Sequence, residues 1–239
     1  MRLSPGIQAV LFDYGGTLVT FEYPAAELLA VVERFRPAIA AATGRPAAPA
    51  SELMERVLLP LEEFVHTPST DEISYLDVFA GAWRDRAGLD LPRGLLYEIL
   101  DAEQQVWDRA ACVDSAGLQV LEWLGDNGFR RALCSNAPFP PEMMLRQVEG
   151  NGIGRRVDGV VFSSQVGWRK PAPEIYRAAL EAVAVDAGRA LFVGDRVRED
   201  YEGPRAVGMQ AIICTAHAER SPGDGIPTIG SLAELAELL

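Results

Sequence analysis

The sequence predicts an α/β fold: a parallel sheet clothed in helices and interrupted by an all-helical insertion. Three observations predict it. An apolar run, Ile7–Phe12, ends abruptly in Asp13 and a pair of glycines, and a short apolar run bounded by turn residues reads as a buried strand. From Ser115 onward helix and strand patterns alternate strictly, with Val/Ile/Leu-rich strands, which is the pattern of a parallel sheet covered on both faces. Between these two parts, no stretch of Glu22–Arg109 reads as strand.

The elements follow in order. After strand Ile7–Phe12, the Ala- and Leu-rich segment Pro24–Ala42 has helical spacing, interrupted at Pro37. Thr43–Ala50 holds a glycine and two prolines and reads as a linker. Ser51 is expected to cap the next helix, with Met54, Val57, Leu58 and Leu61 as its apolar face. Thr67–Asp71 is a loop, Ile73–Ala87 a helix stopped by Gly88, and Pro92–Arg109 a helix with proline at its start. Helix Ser115–Asp126 then leads to strand Arg131–Cys134, and helix Pro141–Glu149 to strand Val157–Phe162. Helix Pro173–Val185 leads to strand Ala190–Val193, and helix Glu199–Val207 to strand Gln210–Cys214. A polar loop, Ala218–Gly225, precedes a short strand at Pro227–Ile229 and a last helix, Leu232–Leu239. The expected architecture is a Rossmann-like core, residues 1–20 and 110–239, with residues 21–109 inserted after the first strand.

Composition narrows the partners. Acidic residues outnumber basic ones by 34 to 22, for a formal charge of −12. Nucleic-acid and anionic-membrane binding both rest on clustered Lys and Arg, so neither is expected. No apolar run approaches the roughly 20 residues of a membrane-spanning helix, and Ile7–Phe12 is too short for a secretion signal; a cytoplasmic protein is expected. Cys112, Cys134 and Cys214 lack metal-like spacing, and Cys134 and Cys214 lie in strand-like runs that suit buried free thiols. His66 and His217 stand alone, which argues against a two-histidine metal site.

Four strand ends carry polar residues: Asp13, then Ser135-Asn136, then Lys170 before Pro171, then Gly194-Asp195 with Asp200. Carboxyl ends of parallel strands share one edge of the sheet, so these residues should meet in one crevice. Three carboxylates against one lysine form an unfavourable cluster alone. A hard divalent cation such as Mg²⁺, with carbonyl and water ligands beside the carboxylates of Asp13, Asp195 and Asp200, balances it and lets a phosphate enter. Asp13 can then attack phosphorus, with Lys170 and the Ser135 hydroxyl on the phosphoryl oxygens and Thr17 holding the loop. Asn136 is the further candidate for substrate binding. Each residue also has a plainer reading: Asp13 and Asp195 as turn residues, Ser135 as a helix cap, Lys170 as a solvated lysine, Asp200 as a partner of a helix dipole.

The order and spacing of these residues resemble the haloacid dehalogenase-like (HAD) hydrolase superfamily. Its motifs D-x-D-x-T, Ser/Thr, Lys and G-D-x-x-x-x-D are met in order by Asp13/Thr17, Ser135, Lys170 and Asp195/Asp200. The stretches "KPAPEIY" and "GPRAVGM" extend the likeness over most of the chain. The resemblance implies an Mg²⁺-dependent phosphohydrolase of small phosphorylated metabolites, working through an aspartyl-phosphate. The long interval between Thr17 and Ser135 implies a helical cap of the first type, able to exclude water and select substrate.

One departure stands out. Phosphatases of the superfamily usually carry an acid/base Asp two places after the nucleophile, where this chain has Gly15. The carbonyl for a metal remains, but the side chain that protonates the leaving group is gone. A bias toward good leaving groups follows, such as acyl, aryl or anomeric sugar phosphates, unless a cap carboxylate such as Glu22 or Glu72 supplies the proton. The alternatives are a metal-free 2-haloacid dehalogenase-like hydrolase and a non-catalytic phosphate-binding module. Trp83, Trp107 and Trp123 lie on helical apolar stripes and are expected to pack, whereas Trp168 fits either a site wall or simple packing.

Overall fold

The first strand of the chain is the centre of a six-stranded parallel sheet. The structure, a computed structural model, describes residues 6–65, 69–218 and 220–239; His66 and the start of the expected loop at Thr67 lie outside the described residues. The strands are β1 (Ala9–Phe12), β2 (Val19–Phe21), β3 (Ala111–Val113), β4 (Arg130–Ser135), β5 (Gly159–Phe162), β6 (Ala190–Gly194), β7 (Gln210–Cys214) and β8 (Thr228–Ile229). The sheet order is β5-β4-β1-β6-β7-β8, all parallel, with Leu11 level with Ala132 on one side and Phe192 on the other. The chain first builds outward from β1 through β4 to β5, then returns to the other side of β1 for β6. That reversal makes the carboxyl end of β1 a topological switch point, where such sheets open a crevice.

Side chains alternate across the sheet, as strand geometry requires. Val10, Phe12, Leu133 and Val193 face one layer, where Val120, Leu121 and Leu124 of the helix Ser115–Asp126 cover them. Ala9, Leu11, Ala132 and Phe192 face the other, covered by Ile175, Tyr176 and Ala179. Cys134 and Cys214 are buried free thiols in this sheet, and Cys112 is exposed.

The helices are α1 (Ala25–Thr43), α2 (Ala50–Leu53), α3 (Leu59–Val65), α4 (Tyr75–Ala87), α5 (Arg93–Ala110), α6 (Ser115–Asp126), α7 (Pro141–Gly150), α8 (Ser163–Val166), α9 (Pro173–Val183), α10 (Gly203–Ala206) and α11 (Leu235–Leu238). Helices α1–α5 surround a core of their own, with Val32, Val57, Phe79, Trp83 and Ile99 at its centre. Met143 of α7 also packs into that core, and Arg146 of α7 pairs with Asp101 and Asp108 of α5 at 2.6 and 2.9 Å.

Several expectations need correction. Pro37 does not interrupt α1, which runs unbroken to Thr43. Pro37 lies on the exposed face, so the carbonyl it leaves unbonded meets water, while Leu28, Val31, Val32 and Ile39 anchor the opposite face. Ser51 is not a cap: the helix begins one residue earlier behind Pro49, and the chain continues through a π-helical turn, Met54–Leu58, into α3. The expected linker is pinned, since Arg36 Nε donates to Ala48 O at 2.9 Å. The helix expected at Glu199–Val207 is instead a π-helical turn, Val197–Glu202, followed by α10. The last helix divides into a 3₁₀ turn, Leu232–Glu234, and α11. β2 and β3, unseen in the sequence pattern, pair antiparallel where the chain enters and leaves the helical block. No helix among the described residues is long and apolar enough to cross a membrane.

Candidate active site

The carboxyl edge of the sheet opens into a cavity of about 610 Å³. Asp13 reaches it from the end of β1, Ser135 and Asn136 from the end of β4, Lys170 from the loop after α8, and Asp195 from the end of β6. Helical-block residues Glu62, Gln104 and Trp107 border the same space.

Lys170 is the electrostatic centre. Its Nζ lies 2.7 Å from Asp13 Oδ1 and 2.6 Å from Asp200 Oδ1, and all three residues are almost fully shielded from water. Burial alone draws an ammonium's pKa down, but Asp13 and Asp200 outweigh it and hold Lys170 above its ordinary value. Asp200 sits in the π-helical turn, and its Oδ2 accepts the main-chain N–H groups of Asp195 at 3.1 Å and Arg196 at 2.9 Å. It therefore folds the loop after β6 around itself while its other oxygen holds Lys170, which is more than a helix-dipole partner does.

Asp13, Asp195 and Asp200 bring carboxylate oxygens within 4.8 Å of one another. Burial, then the charges of Asp13 and Asp200, push the Asp195 carboxyl up from its ordinary value. Burial also raises Asp200, against the opposing pull of Lys170. Asp195 Oδ1 is buried without a hydrogen-bond partner. A converging set of hard oxygen donors, one of them unsatisfied and two of them, Asp195 and Asp200, held above the usual carboxylate range, fits an oxygen-seeking divalent cation. The approach to Asp195 is close: a Cβ on Gly16, which has φ +78°, would stand 2.8 Å from Asp195 Oδ2. A side chain there would collide with the carboxylate and strain the backbone.

Other expected residues take particular places. Gly15 borders the cavity, and a Cβ built on it meets only Phe21 Cε2, at 3.8 Å. Asn136 commits both ends of its amide to the main chain of Lys170: Oδ1 accepts its N–H at 2.7 Å and Nδ2 donates to its carbonyl at 3.2 Å. It thus sets the lysine in place from beside the cavity. Ser135 ends β4 at the cavity and caps no helix. Thr17 is fully buried, does not border the cavity, and its hydroxyl has no partner. Glu22 is exposed, and Glu72 borders a different cavity near Tyr97 and Glu142. Neither carboxylate named for the missing proton therefore stands at this site. Trp83 and Trp123 pack as expected, Trp107 packs edge-on against Phe21 at the cavity, and Trp168 is 41 % exposed away from it.

Sequence reasoning missed Glu62, Gln104 and His217, which also border the cavity. His217 Nε2 lies 2.9 Å from Asp114 Oδ2. For Gln104 a faint signal existed, since with Glu103 it interrupts the apolar stripe of its helix. For Glu62 there was none.

The family model for haloacid dehalogenase-like hydrolases matches residues 7–208. The chain belongs to this family. Within it, the chain is 36 % identical over 114 residues to the haloacid dehalogenase-like hydrolase domain-containing protein 3 of Homo sapiens, covering 47 % of this chain and 44 % of that protein. It is 45 % identical over 94 residues to a glyceraldehyde 3-phosphate phosphatase of Pyrococcus abyssi, covering 39 % of each. The chain thus spans less than half the length of these curated relatives. In three dimensions it is similar to the crystal structure of a 2-haloacid dehalogenase from Pseudomonas syringae, with a TM-score of 0.67, 22 % identity and 97 % coverage of both chains. That likeness spans the helical block as well as the sheet, and it concerns the fold: haloacid dehalogenase-like hydrolases of different chemistry share it.

Proposed function

We propose that this haloacid dehalogenase-like hydrolase is an Mg²⁺-dependent phosphohydrolase of a small phosphorylated metabolite, working through an aspartyl-phosphate on Asp13. The observation that carries the reading is the buried Asp13–Lys170–Asp200 chain beside Asp195 with its unpartnered oxygen, with Asp13, Lys170 and Asp195 bordering one cavity and Asp200 buried behind them. Asp13, Asp195 and Asp200, with the Gly15 carbonyl, would hold the cation, which would offset their charge and draw electrons from the phosphoryl oxygens. A metal-free dehalogenase has no use for this acidic trio.

Asp13 acts as nucleophile on phosphorus and departs again when water attacks the acyl-phosphate. Lys170 orients Asp13 and stabilises charge on the phosphoryl oxygens, and the Ser135 hydroxyl donates to the same oxygens. Asn136 keeps Lys170 in register. Residues 21–109 act as the cap over a core of residues 1–20 and 110–239, with Trp107 and Gln104 meeting the leaving group and limiting its size. The relatives named as phosphatases of small metabolites support this class of substrate.

A panel of phosphate monoesters assayed with Mg²⁺ and with EDTA, beside Asp13→Asn, tests the reading. Turnover that needs both Mg²⁺ and Asp13 is the expected result. Hydrolysis of 2-haloacids that survives EDTA would replace it with the dehalogenase reading.

A further inference from the structure

Gly15 provides no side chain to protonate a leaving group, so another group must do so or the enzyme is confined to leaving groups that need no proton. We propose that Glu62 of α3 is the acid–base residue of this site, reaching the leaving oxygen from the helical block. This inference rests on the phosphohydrolase reading above.

Four acidic residues border the cavity. Asp13 and Asp195 belong to the charged cluster. Glu199 lies in the π-helical turn beside Asp200, at the base of the cavity's charged end. Glu62 alone comes from the other layer of the molecule, where the part of a substrate beyond its phosphate must lie. No described ion pair involves Glu62. The titratable groups that act on one another around it are Glu103, Tyr23 and Tyr75. None of these is a cation, so nothing among them favours the ionised carboxylate. Burial raises the Glu62 carboxyl to about 7, which lets it hold a proton near neutrality and release one just above it.

The chemistry balances. As Asp13 bonds to phosphorus, the bond from phosphorus to the leaving oxygen breaks and its electron pair stays on that oxygen. The oxygen takes the proton of Glu62, and the product leaves as an alcohol. The Glu62 carboxylate then removes a proton from water as the water oxygen bonds to phosphorus. Asp13 regains its carboxylate, and Glu62 is again protonated.

The test compares Glu62→Gln with the unaltered enzyme, both with Mg²⁺, on two esters. p-Nitrophenyl phosphate has a leaving group that needs no proton, and glycerol phosphate has one that does. Glu62→Gln should lower kcat/KM for glycerol phosphate by about 10²- to 10⁴-fold, the usual worth of such a group. It should leave kcat/KM for the aryl ester, which reports only the transfer to Asp13, nearly unchanged, while kcat for the aryl ester falls with the slower hydrolysis of the acyl-phosphate. Equal losses of kcat/KM on both esters in a variant that melts normally, or no loss on either, would overturn the assignment of Glu62. A second readout needs no variant: with the unaltered enzyme, kcat for glycerol phosphate should fall as pH rises through neutrality, where the aryl ester shows no such limb. An alkyl profile without that limb would also overturn it. Absence of Mg²⁺-dependent aryl hydrolysis by the unaltered enzyme instead removes the phosphohydrolase reading itself, an outcome distinct from either.

Discussion

Asp13 and Lys170, 157 positions apart in the chain, meet at 2.7 Å where water hardly reaches. The contact joins the end of β1 to the loop after α8. Because Asp200 holds the same ammonium, the lysine ties the candidate nucleophile to the acidic loop after β6. Site geometry and fold stability are therefore linked through one side chain.

Lys170→Met tests that link. It strands Asp13 and Asp200 in a buried place without their ammonium, and breaking a buried pair costs about 3–5 kcal/mol. Urea denaturation in EDTA should show a loss of that order, partly recovered by Mg²⁺. An unchanged midpoint would mean that Lys170 does not balance the cluster.

Mg²⁺ should raise the melting temperature of the protein, since a ligand of the folded state stabilises it by mass action. Asp195→Asn removes a charged donor with a free oxygen and should abolish most of that rise. A calorimetric scan that gives both proteins the same Mg²⁺ shift would exclude Asp195 as a ligand.

Adjacent glycines should respond oppositely. Gly16→Ala forces a Cβ to 2.8 Å from Asp195 Oδ2 at positive φ, with a strain of about 1–2 kcal/mol from the backbone alone, and should weaken Mg²⁺ binding. Gly15→Ala meets only Phe21 at 3.8 Å and should change stability by less than about 0.5 kcal/mol. Because that space is open, Gly15→Asp should restore hydrolysis of alkyl phosphates to the Glu62→Gln variant, and no recovery there would show that a carboxyl at this position cannot reach the leaving oxygen.

Stability should fall as pH rises from about 4.5 to about 7. The Glu62 carboxyl is raised from 4.5 to about 7 in the folded protein by burial. Below that window both states hold the proton. Within it the unfolded chain releases its proton first, and above it the folded state carries a buried charge. The loss attributable to Glu62 is at most about 3 kcal/mol, and the wholly buried Glu103, raised by burial and by Glu62, extends it to higher pH. Denaturation midpoints on either side of the window should show the decline, and Glu62→Gln should lessen it by the share of Glu62, leaving that of Asp195 and Asp200, whose carboxyls are also raised by burial.

Much of this protein was legible in its sequence because the signals were local. Strand Gln210–Cys214 and helix Ser115–Asp126 have the bounds that their periodicity predicts. Asp13, Ser135 and Asp195 were legible as one group because parallel strands present their carboxyl ends on one edge, so strand assignment alone places them together, and Lys170 was legible only by its order among them, since it stands beyond α8. Where a local signal met a packing demand, packing prevailed. Pro37 stays inside a continuous helix because that helix's buried face is anchored, and the loop after β6 winds into a π-helical turn because Asp200 is bonded to its N–H groups and to Lys170.

The sequence by itself determined the sheet, the helical insertion and the acidic strand ends, since each follows from the spacing of neighbouring residues. Only the tertiary structure decided which side chains of the helical block border the cavity. It selected Glu62 over Glu22 and Glu72 and left Thr17 outside. Facing across a cavity depends on how two separately folded layers are set against each other, and no periodicity along the chain encodes that distance.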